Sequence, residues 1–310
     1  MVAAKQKQIL IAGATGLIGQ ELVSALLAIG YKIVVLAHSS LRDAPWANHP
    51  SVSSIEWTGI FTNWLVREVE KSYAVVNLAG QNIAAKPWTR RRRMQLIRSR
   101  LGTTRALAKA CHYAEKQPKV FVQASATGYY STVSKEIQTE TSPKGQGFLA
   151  RLTADWEMVA QHELPSSIRL VLIRTGVVLS NKGGMLPKLT LPIKLMAGGW
   201  FGTGNQPVPW IHIHDEVNAI IHLMHTESAR GPFNIVAPQA VTQKGLVKAV
   251  AKKLKRAAWV PIPAPLIKLL FGQMGYELLL SGSLVDSSKL IQSGYSFKHP
   301  TLSIALDNLF

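Results

Sequence analysis

The sequence predicts an α/β fold, a Rossmann-type doubly wound parallel sheet with a smaller C-terminal α/β lobe. Three observations predict it. Short apolar, β-branched runs alternate with amphipathic helical stretches over roughly the first 180 residues, the pattern of strands joined by crossover helices. The stretch "GATGLIG" at residues 13–19 falls between one such strand and one such helix. Beyond about residue 180 the alternation gives way to glycine-rich loops and then to helices. The first domain is therefore read as residues 1–180, with 205–240 returning to it in part, and the smaller lobe as residues 181–310.

Each element has its own warrant. "QILIAG" reads as a buried strand, and "LIGQELVSALLAIG" as an amphipathic helix stopped at Gly30. "YKIVVLA", "SVSSIEW", "YAVVNLAG" and "KVFVQASA" read as further strands. A long helix is predicted from Thr89 to Tyr113, with Thr89 as its N-cap. "GFLARLTADWEMVAQHE" follows as a helix and "IRLVLIRTGVVL" as one strand. "SNKGGMLPK" and "AGGWFGTGNQPVP" read as loops, and helical patterns return at "DEVNAIIHLMH", "TQKGLVKAVAKKLK" and from Pro265.

Composition narrows the function classes. The chain has 310 residues, 47% of them hydrophobic and 17% charged, with a mean hydropathy of +0.11. That is the composition of a core-forming globular chain and not of a disordered one. The single cysteine, Cys111, forms no internal disulfide and reads as a small buried hydrophobe in "RALAKACHYA". A reducing, cytoplasmic setting is expected. The glycines of the opening apolar run suit a strand–turn–helix better than a signal peptide. No apolar run reaches a spanning length of about 18 residues, so no transmembrane segment is expected. The richest candidate, "PIPAPLIKLLFGQMGYELLL", is broken by prolines, glycines, Lys268 and Glu277. The net charge of +18 points to anionic partners without naming one.

In the glycine turn, Gly13 permits a tight bend, Gly16 lets the backbone approach a pyrophosphate, and Gly19 lets the helix pack closely. Thr15, Leu17 and Ile18 complete the turn and the first helical residues, whose free N–H groups favour phosphate. The end of the second strand, "LAHSSLRD", has no carboxylate for a ribose hydroxyl. His38, Ser39 and Arg42 offer donors and positive charge instead, so NADP(H) is favoured over NAD(H).

At this point "GATGLIG", "VVNLAG", "QASATGYY" and "PWIHIHDEV", in that order, resemble the extended branch of the short-chain dehydrogenase/reductase superfamily. "NLAGQNIAAKPWT", "SRLGTTRALAKA", "FLARLTADWE", "RTGVVLSNKGGMLPK" and "SGYSFKHPTLSIALDNL" narrow the resemblance. They resemble an atypical epimerase/dehydratase-like family with a characteristic C-terminal domain of unknown function, over essentially the whole chain. The resemblance implies that Leu78, Ala79, Gly80 and Arg100 lie along the cofactor and that Ser125 takes the catalytic serine position. It places the stretch from Arg174 to Val178 near the nicotinamide.

The superfamily's Y-x-x-x-K pair should fall near residues 149 and 153, where this chain has Leu149 and Thr153. Tyr129 or Tyr130 is expected to supply the missing acid/base, with Ser125 as hydrogen-bond partner. The alternative is that both tyrosines are packing residues. In the glycine-rich loops Lys188, Trp200 and Trp210 are candidate substrate-pocket walls, or lobe packing. His212 and His214 invite a metal reading, but no third ligand accompanies them in sequence, so no metal is expected. Asp215 reads as the N-cap of the helix that follows.

The run Arg90 to Arg93 opens the long helix. Met94, Ile97, Leu101, Thr104 and Ala108 form its apolar stripe, and Arg91, Arg98 and Arg105 share another face. Positive charge at a helix start opposes the dipole by about 0.3–1 kcal/mol per exposed residue. Solvated arginines explain most of the run, and no nucleic-acid module or aromatic interleaving accompanies it, so no specific nucleic acid is expected. The first functional reading is an NADP(H)-binding oxidoreductase or epimerase-like enzyme acting on a small molecule, a nucleotide sugar or another carbonyl or hydroxyl compound. A homodimer is compatible with it. The second is a cofactor-binding sensor or scaffold without turnover, and the third a nucleic-acid or anionic-surface binder.

Overall fold

The computed structural model describes residues 6–38, 41, 44–130 and 136–310. The chain runs β1 (Gln8–Ala12), α1 (Leu17–Ala28), β2 (Lys32–Ala37), β3 (Val52–Glu56), α2 (Asn63–Lys71) and β4 (Ser72–Asn77). It continues through α3 (Arg90–Ile97), a π-helical turn (Arg98–Gly102), α4 (Thr103–Tyr113), β5 (Val120–Ala126), α5 (Phe148–Glu163), β6 (Arg169–Thr175) and β7 (Val177–Ser180). The remainder is β8 (Gly183–Gly184), α6 (Met185–Lys194), β9 (Pro207–Val208), β10 (Trp210–His212), α7 (Ile213–His225) and β11 (Gly231–Ile235). It closes with β12 (Val241–Thr242), α8 (Gln243–Lys253), α9 (Ala264–Gly275), α10 (Ser288–Gln292) and α11 (Leu302–Leu309).

Seven strands form one sheet in the order β11-β6-β5-β4-β1-β2-β3, and every pairing is parallel. The order reverses between β1 and β4, the switch point where ligands bind in open α/β sheets. Both faces are covered, which is why the strands read as continuous apolar runs. Along β1, Ile9 and Ile11 point into one core, while Leu10 and Ala12 point into the other. The first core lies under α1 and α7, and the second under α2 and α4. A third cluster joins α6, α8 and α11, and a fourth lies around Trp88, Leu96 and Leu152.

Two predicted elements differ from their observed form. "IRLVLIRTGVVL" is two strands in two sheets, because Gly176 breaks it. A Cβ there would lie 2.6 Å from the Pro209 carbonyl oxygen. β6 stays in the large sheet, while β7 pairs with β10 and β8. The seventh strand, β11, pairs with β6 after the chain returns through α7. "MLPK", read as loop, opens α6.

The long helix from Thr89 is continuous but carries the π turn at its centre. Thr89 caps it, its hydroxyl accepting the Arg92 amide at 3.1 Å. The extra residue of the π turn rotates the faces relative to a uniform helix. Met94 is consequently 44% exposed and Leu96 fully buried, whereas Thr104 and Ala108 are buried as the stripe predicts.

Candidate functional site

The glycine turn closes the carboxyl end of β1. Gly13 has φ +87°, and a Cβ on it would meet the Leu78 carbonyl carbon at 2.6 Å. It is glycine both for the left-handed bend and for the close approach of the β4 end. A Cβ on Gly19 would sit 2.3 Å from the Gly13 carbonyl oxygen, so the helix packs on the turn itself. Gly16 differs: its Cβ would meet only the Gly13 oxygen, at 3.4 Å. It is the N-cap of α1 and makes no side-chain cap, leaving the first-turn N–H groups available to an anion.

A groove of about 520 Å³ opens over this turn. Gly13, Thr15, Gly16, His38, Leu78, Ala79 and Gly80, the expected cofactor residues of the turn and of the β2 and β4 ends, line it. Ser39 and Arg42 lie outside the described residues. Leu17 and Ile18 pack beneath the turn rather than line the groove. The lining also includes Trp57, Thr58, Gly59, Gln95, Arg98 and Ser99, none of which sequence reasoning selected. The signal for Arg98 was available in the arginine run, but its direction depends on the π turn. That turn presents Arg98 and Ser99 to the groove, and Ser99 Oγ accepts the Gln81 amide at 3.2 Å.

Arg100, expected along the cofactor, stands behind the groove wall. Its guanidinium packs on Gly80, where a Cβ would lie 3.1 Å from Cζ, and lies 5.1 Å over the Trp156 ring. Burial lowers its basicity to about 10, which still leaves it charged at neutral pH. Arg92 and Arg93 are not solvated as the arginine run suggests. Arg92 is buried and donates to the Gln81 side chain and to the Asn82 carbonyl, and Arg93 donates to Gln273 at 2.9 Å.

A second cavity, of about 180 Å³, opens beyond the ends of β5 and β6. Thr127, Gly128 and Tyr130 after β5, Leu149 of α5 and Val177 at the start of β7 line it. Met185, Phe201, Gln206, Pro209, Gln243 and Glu277 close it from the C-terminal lobe. Glu277 reaches back to accept the Phe148 and Leu149 amides at 2.9 and 2.8 Å, capping α5 from 128 residues away. The predicted wall residues do not face this cavity. Trp210 is buried in the third core with its indole donating to Gln239, Trp200 packs under Lys244 at 4.5 Å, and Lys188 is exposed on α6. Their sequence neighbours Phe201 and Pro209 take the role.

A buried polar chain runs across β5, β6 and β11 and reaches the second cavity at Tyr130. Ser125 Oγ donates to Glu157 at 2.5 Å. Glu157 holds Arg174 through two contacts of 2.8 Å, and both side chains are nearly inaccessible. Arg174 donates to the Tyr130 hydroxyl at 2.7 Å, and that hydroxyl donates to Asn234 at 2.6 Å. Glu157 lies one helical turn past Thr153, the position expected for lysine. Arg174 was expected beside the nicotinamide. It is 3% exposed and committed to this chain, while Val177, at the start of β7, faces the cavity. Val178 packs against the first core.

The tyrosines separate. Burial pushes the Tyr130 phenol up to about 12, against the pull of Arg174, so it stays protonated at neutral pH with its hydroxyl engaged. It serves the cavity as a ring wall. Tyr129 lays its ring on the Arg174 guanidinium, 3.6 Å from centroid to Cζ.

The histidine pair acquires a third ring from His299, within 4.8 Å among the ring nitrogens. His212 Nδ1 accepts the His214 amide at 3.1 Å, and the His212 and His299 rings stack with centroids 3.7 Å apart. The His214 ring is tilted 71° and 54° to these two, and the three rings are spaced to be able to hold a metal ion. Burial, with His299 and His214 beside it, lowers His212 to about 4 and keeps it neutral. His212, not Asp215, caps α7. Asp215 accepts from the Tyr295 hydroxyl, the Lys298 and His299 amides and the His299 ring, all within 2.8–2.9 Å. It thereby ties the C-terminal segment to the sheet.

Comparison with known proteins agrees with this architecture. Residues 9–236 match the NAD dependent epimerase/dehydratase family, and residues 262–309 match a domain of unknown function, DUF1731. An epimerase family protein of Staphylococcus saprophyticus is 35% identical over 306 residues, covering 98% of this chain and 99% of that protein. The human epimerase family protein SDR39U1 is 32% identical, covering 97% and 99%. The crystal structure of human SDR39U1 (isoform 2) with NADPH superposes with a TM-score of 0.84 at 31% identity, covering 97% of this chain and 98% of that one. A UDP-glucuronic acid 4-epimerase from Bacillus cereus, solved with UDP-glucuronic acid and NAD, shares the fold at a TM-score of 0.80 and 18% identity, covering 97% of each chain. The chain thus belongs to the NAD dependent epimerase/dehydratase family, and it carries the DUF1731 domain at its C-terminal end.

Proposed function

We propose that the chain is an NADP(H)-dependent oxidoreductase or epimerase-like enzyme acting on a small hydroxyl or carbonyl compound. The observation that carries this reading is the uncapped, glycine-gated start of α1 at the floor of a groove, with a second cavity alongside at the strand ends. The residues fit a dinucleotide: backbone N–H groups for the pyrophosphate, and Leu78 to Gly80 for the adenosine side. His38 and Arg98 at the groove favour a 2′-phosphate, and the human relative was crystallised with NADPH. The bound cofactor would supply or accept a hydride at its nicotinamide.

The chain's own contribution centres on Ser125. Glu157 orients its hydroxyl, and Arg174 holds the Glu157 carboxylate in place. The expected tyrosine and lysine positions hold Leu149 and Thr153, and Glu157 and Arg174 are the charged groups that engage the serine position. The cavity beside it is walled mainly by Leu149, Val177, Met185 and Phe201, with Gln206 and Gln243 as polar contacts and the Glu277 carboxylate already engaged by the α5 amides. It suits a compact, largely uncharged substrate.

Parallel fluorescence titrations with NADPH and NADH test the cofactor. NADPH should bind more tightly, and Arg98→Ala should weaken NADPH about tenfold with little change for NADH. Binding of neither nucleotide, or a preference for NADH, refutes the proposal. A screen of small aldehydes, ketones and alcohols tests turnover, and Ser125→Ala should abolish any activity found without loosening NADPH. A second reading, a cofactor-binding protein without turnover, is favoured by the engaged Tyr130 hydroxyl. It predicts NADPH binding with no oxidation across the screen.

A further inference from the structure

α9 is apolar on two sides. The helix is kinked at Gly272; before the kink Ile267 is buried, but Leu266, Leu269 and Leu270, off its inner face, are 43%, 81% and 61% exposed. A helix of this kind normally has a partner on each apolar face. The exposed surface extends beyond the helix. Ala258 pairs with Gly198 and Ile262 with Phe201, which draws the segment before α9 alongside the segment after α6. Trp259 is 69% exposed in the one segment, and Leu195 is 71% exposed at the end of α6. Isolated exposed leucines need no explanation, but several of them on paired segments that also carry an exposed tryptophan mark a contact surface.

Charge identifies what covers it. The sequence has no Asp or Glu between Glu163 and Asp215, nor between Glu227 and Glu277. These acid-free stretches supply α6, α8, α9 and the loops between them. Lys194, Lys252, Lys255, Arg256 and Lys268 are exposed there. We propose that this end of the C-terminal lobe is a docking surface for an anionic phospholipid membrane. Trp259 and the α9 leucines would enter the headgroup region while the lysines and Arg256 meet lipid phosphate. Tryptophan prefers that interface, and lysine stems reach across it. No helix among the described residues is long and apolar enough to cross a membrane, so the surface lies on the bilayer. A second copy is a poor occupant, because two-fold pairing would set these cations against themselves.

Co-sedimentation of the full chain with vesicles tests this. The protein should pellet with phosphatidylcholine vesicles containing about 30% phosphatidylglycerol, and not with phosphatidylcholine alone, at about 0.1 M salt. Leu269→Glu/Leu270→Glu should weaken vesicle binding at least about tenfold. Lys255→Glu/Arg256→Glu, which leaves the apolar residues in place, should do the same. Circular dichroism and Tm identical to those of the parent chain establish that each variant is folded. Failure to pellet with the anionic vesicles overturns the proposal, as does equal pelleting of parent and both folded variants. A concentration-dependent dimer that the leucine variant converts to monomer also overturns it, since a second copy then covers the face.

Discussion

Replacing Glu216 by glutamine should remove a pH dependence from the stability of this chain. Glu216 lies in the first turn of α7 with no solvent exposure. One carboxyl oxygen accepts the Thr175 hydroxyl at 2.7 Å, and the other has no partner among the described residues. Burial pushes its pKa from 4.5 up to about 8, with the Thr175 hydrogen bond opposing. The folded chain therefore keeps a proton that the unfolded chain releases across this interval. The contribution of this group to stability is greatest below pH 4.5, declines as pH rises, and levels off above about pH 8. Each unit corresponds to about 1.36 kcal/mol, so the loss between pH 5.5 and 8 is about 3 kcal/mol. Glutamine does not titrate, and its carbonyl can keep the Thr175 bond. The stability gap between variant and parent should widen by about 3 kcal/mol from pH 5.5 to pH 8.5. For 310 residues, at about 2.1 cal/mol/K of unfolding entropy each, that is roughly 4–5 °C in Tm. Thermal unfolding of both proteins at the two pH values, at fixed salt, measures it. A Tm difference that is the same at both pH values refutes the reasoning.

Three further outcomes follow from the same geometry. Gly19→Ala should destabilise by about 1–3 kcal/mol or prevent folding, because its Cβ meets backbone at 2.3 Å. Gly16→Ala should stay within about 1 kcal/mol of the parent and lose NADPH affinity instead. Equal Tm losses in urea or heat for the two variants would contradict this division. Glu157→Ala leaves Arg174 charged and buried without its partner, and should cost about 3–5 kcal/mol in denaturant unfolding. Glu157→Ala/Arg174→Met should recover much of that, and a single variant losing under about 1 kcal/mol would disprove the coupling. Cys111 is fully buried, and burial pushes its thiol up to about 12. It should resist a thiol reagent at pH 8 in the native chain and react once per chain in denaturant.

How much of this was legible in the sequence depends on the range of the interactions. The strand–turn–helix at residues 8–28 was readable because its signals are local: an apolar run, three glycines at fixed offsets and an amphipathic period. The same holds for Thr89 as a cap and for the burial of Cys111. The groove residues on the turn and at the β4 end followed from family motifs, which mark positions on the chain. Arg98 did not follow, because its direction is set by a π turn with no distinctive sequence signal.

By itself, then, the sequence determined β1 to β6, the helices α1, α3–α4 and α5, the doubly wound class and the glycine turn, because backbone periodicity and steric freedom are properties of neighbouring residues. Tertiary structure alone decided which side chains meet. It brought Glu157 to Ser125 from 32 residues away and Glu277 to the start of α5 from 128. It carried His299 to Asp215 across 84 residues, and committed Arg174 and the Tyr130 hydroxyl to one buried network. These are pairings of buried charge and hydrogen-bond capacity. They are fixed by the need to satisfy polar groups removed from water, a constraint that exists only once the chain has closed around them.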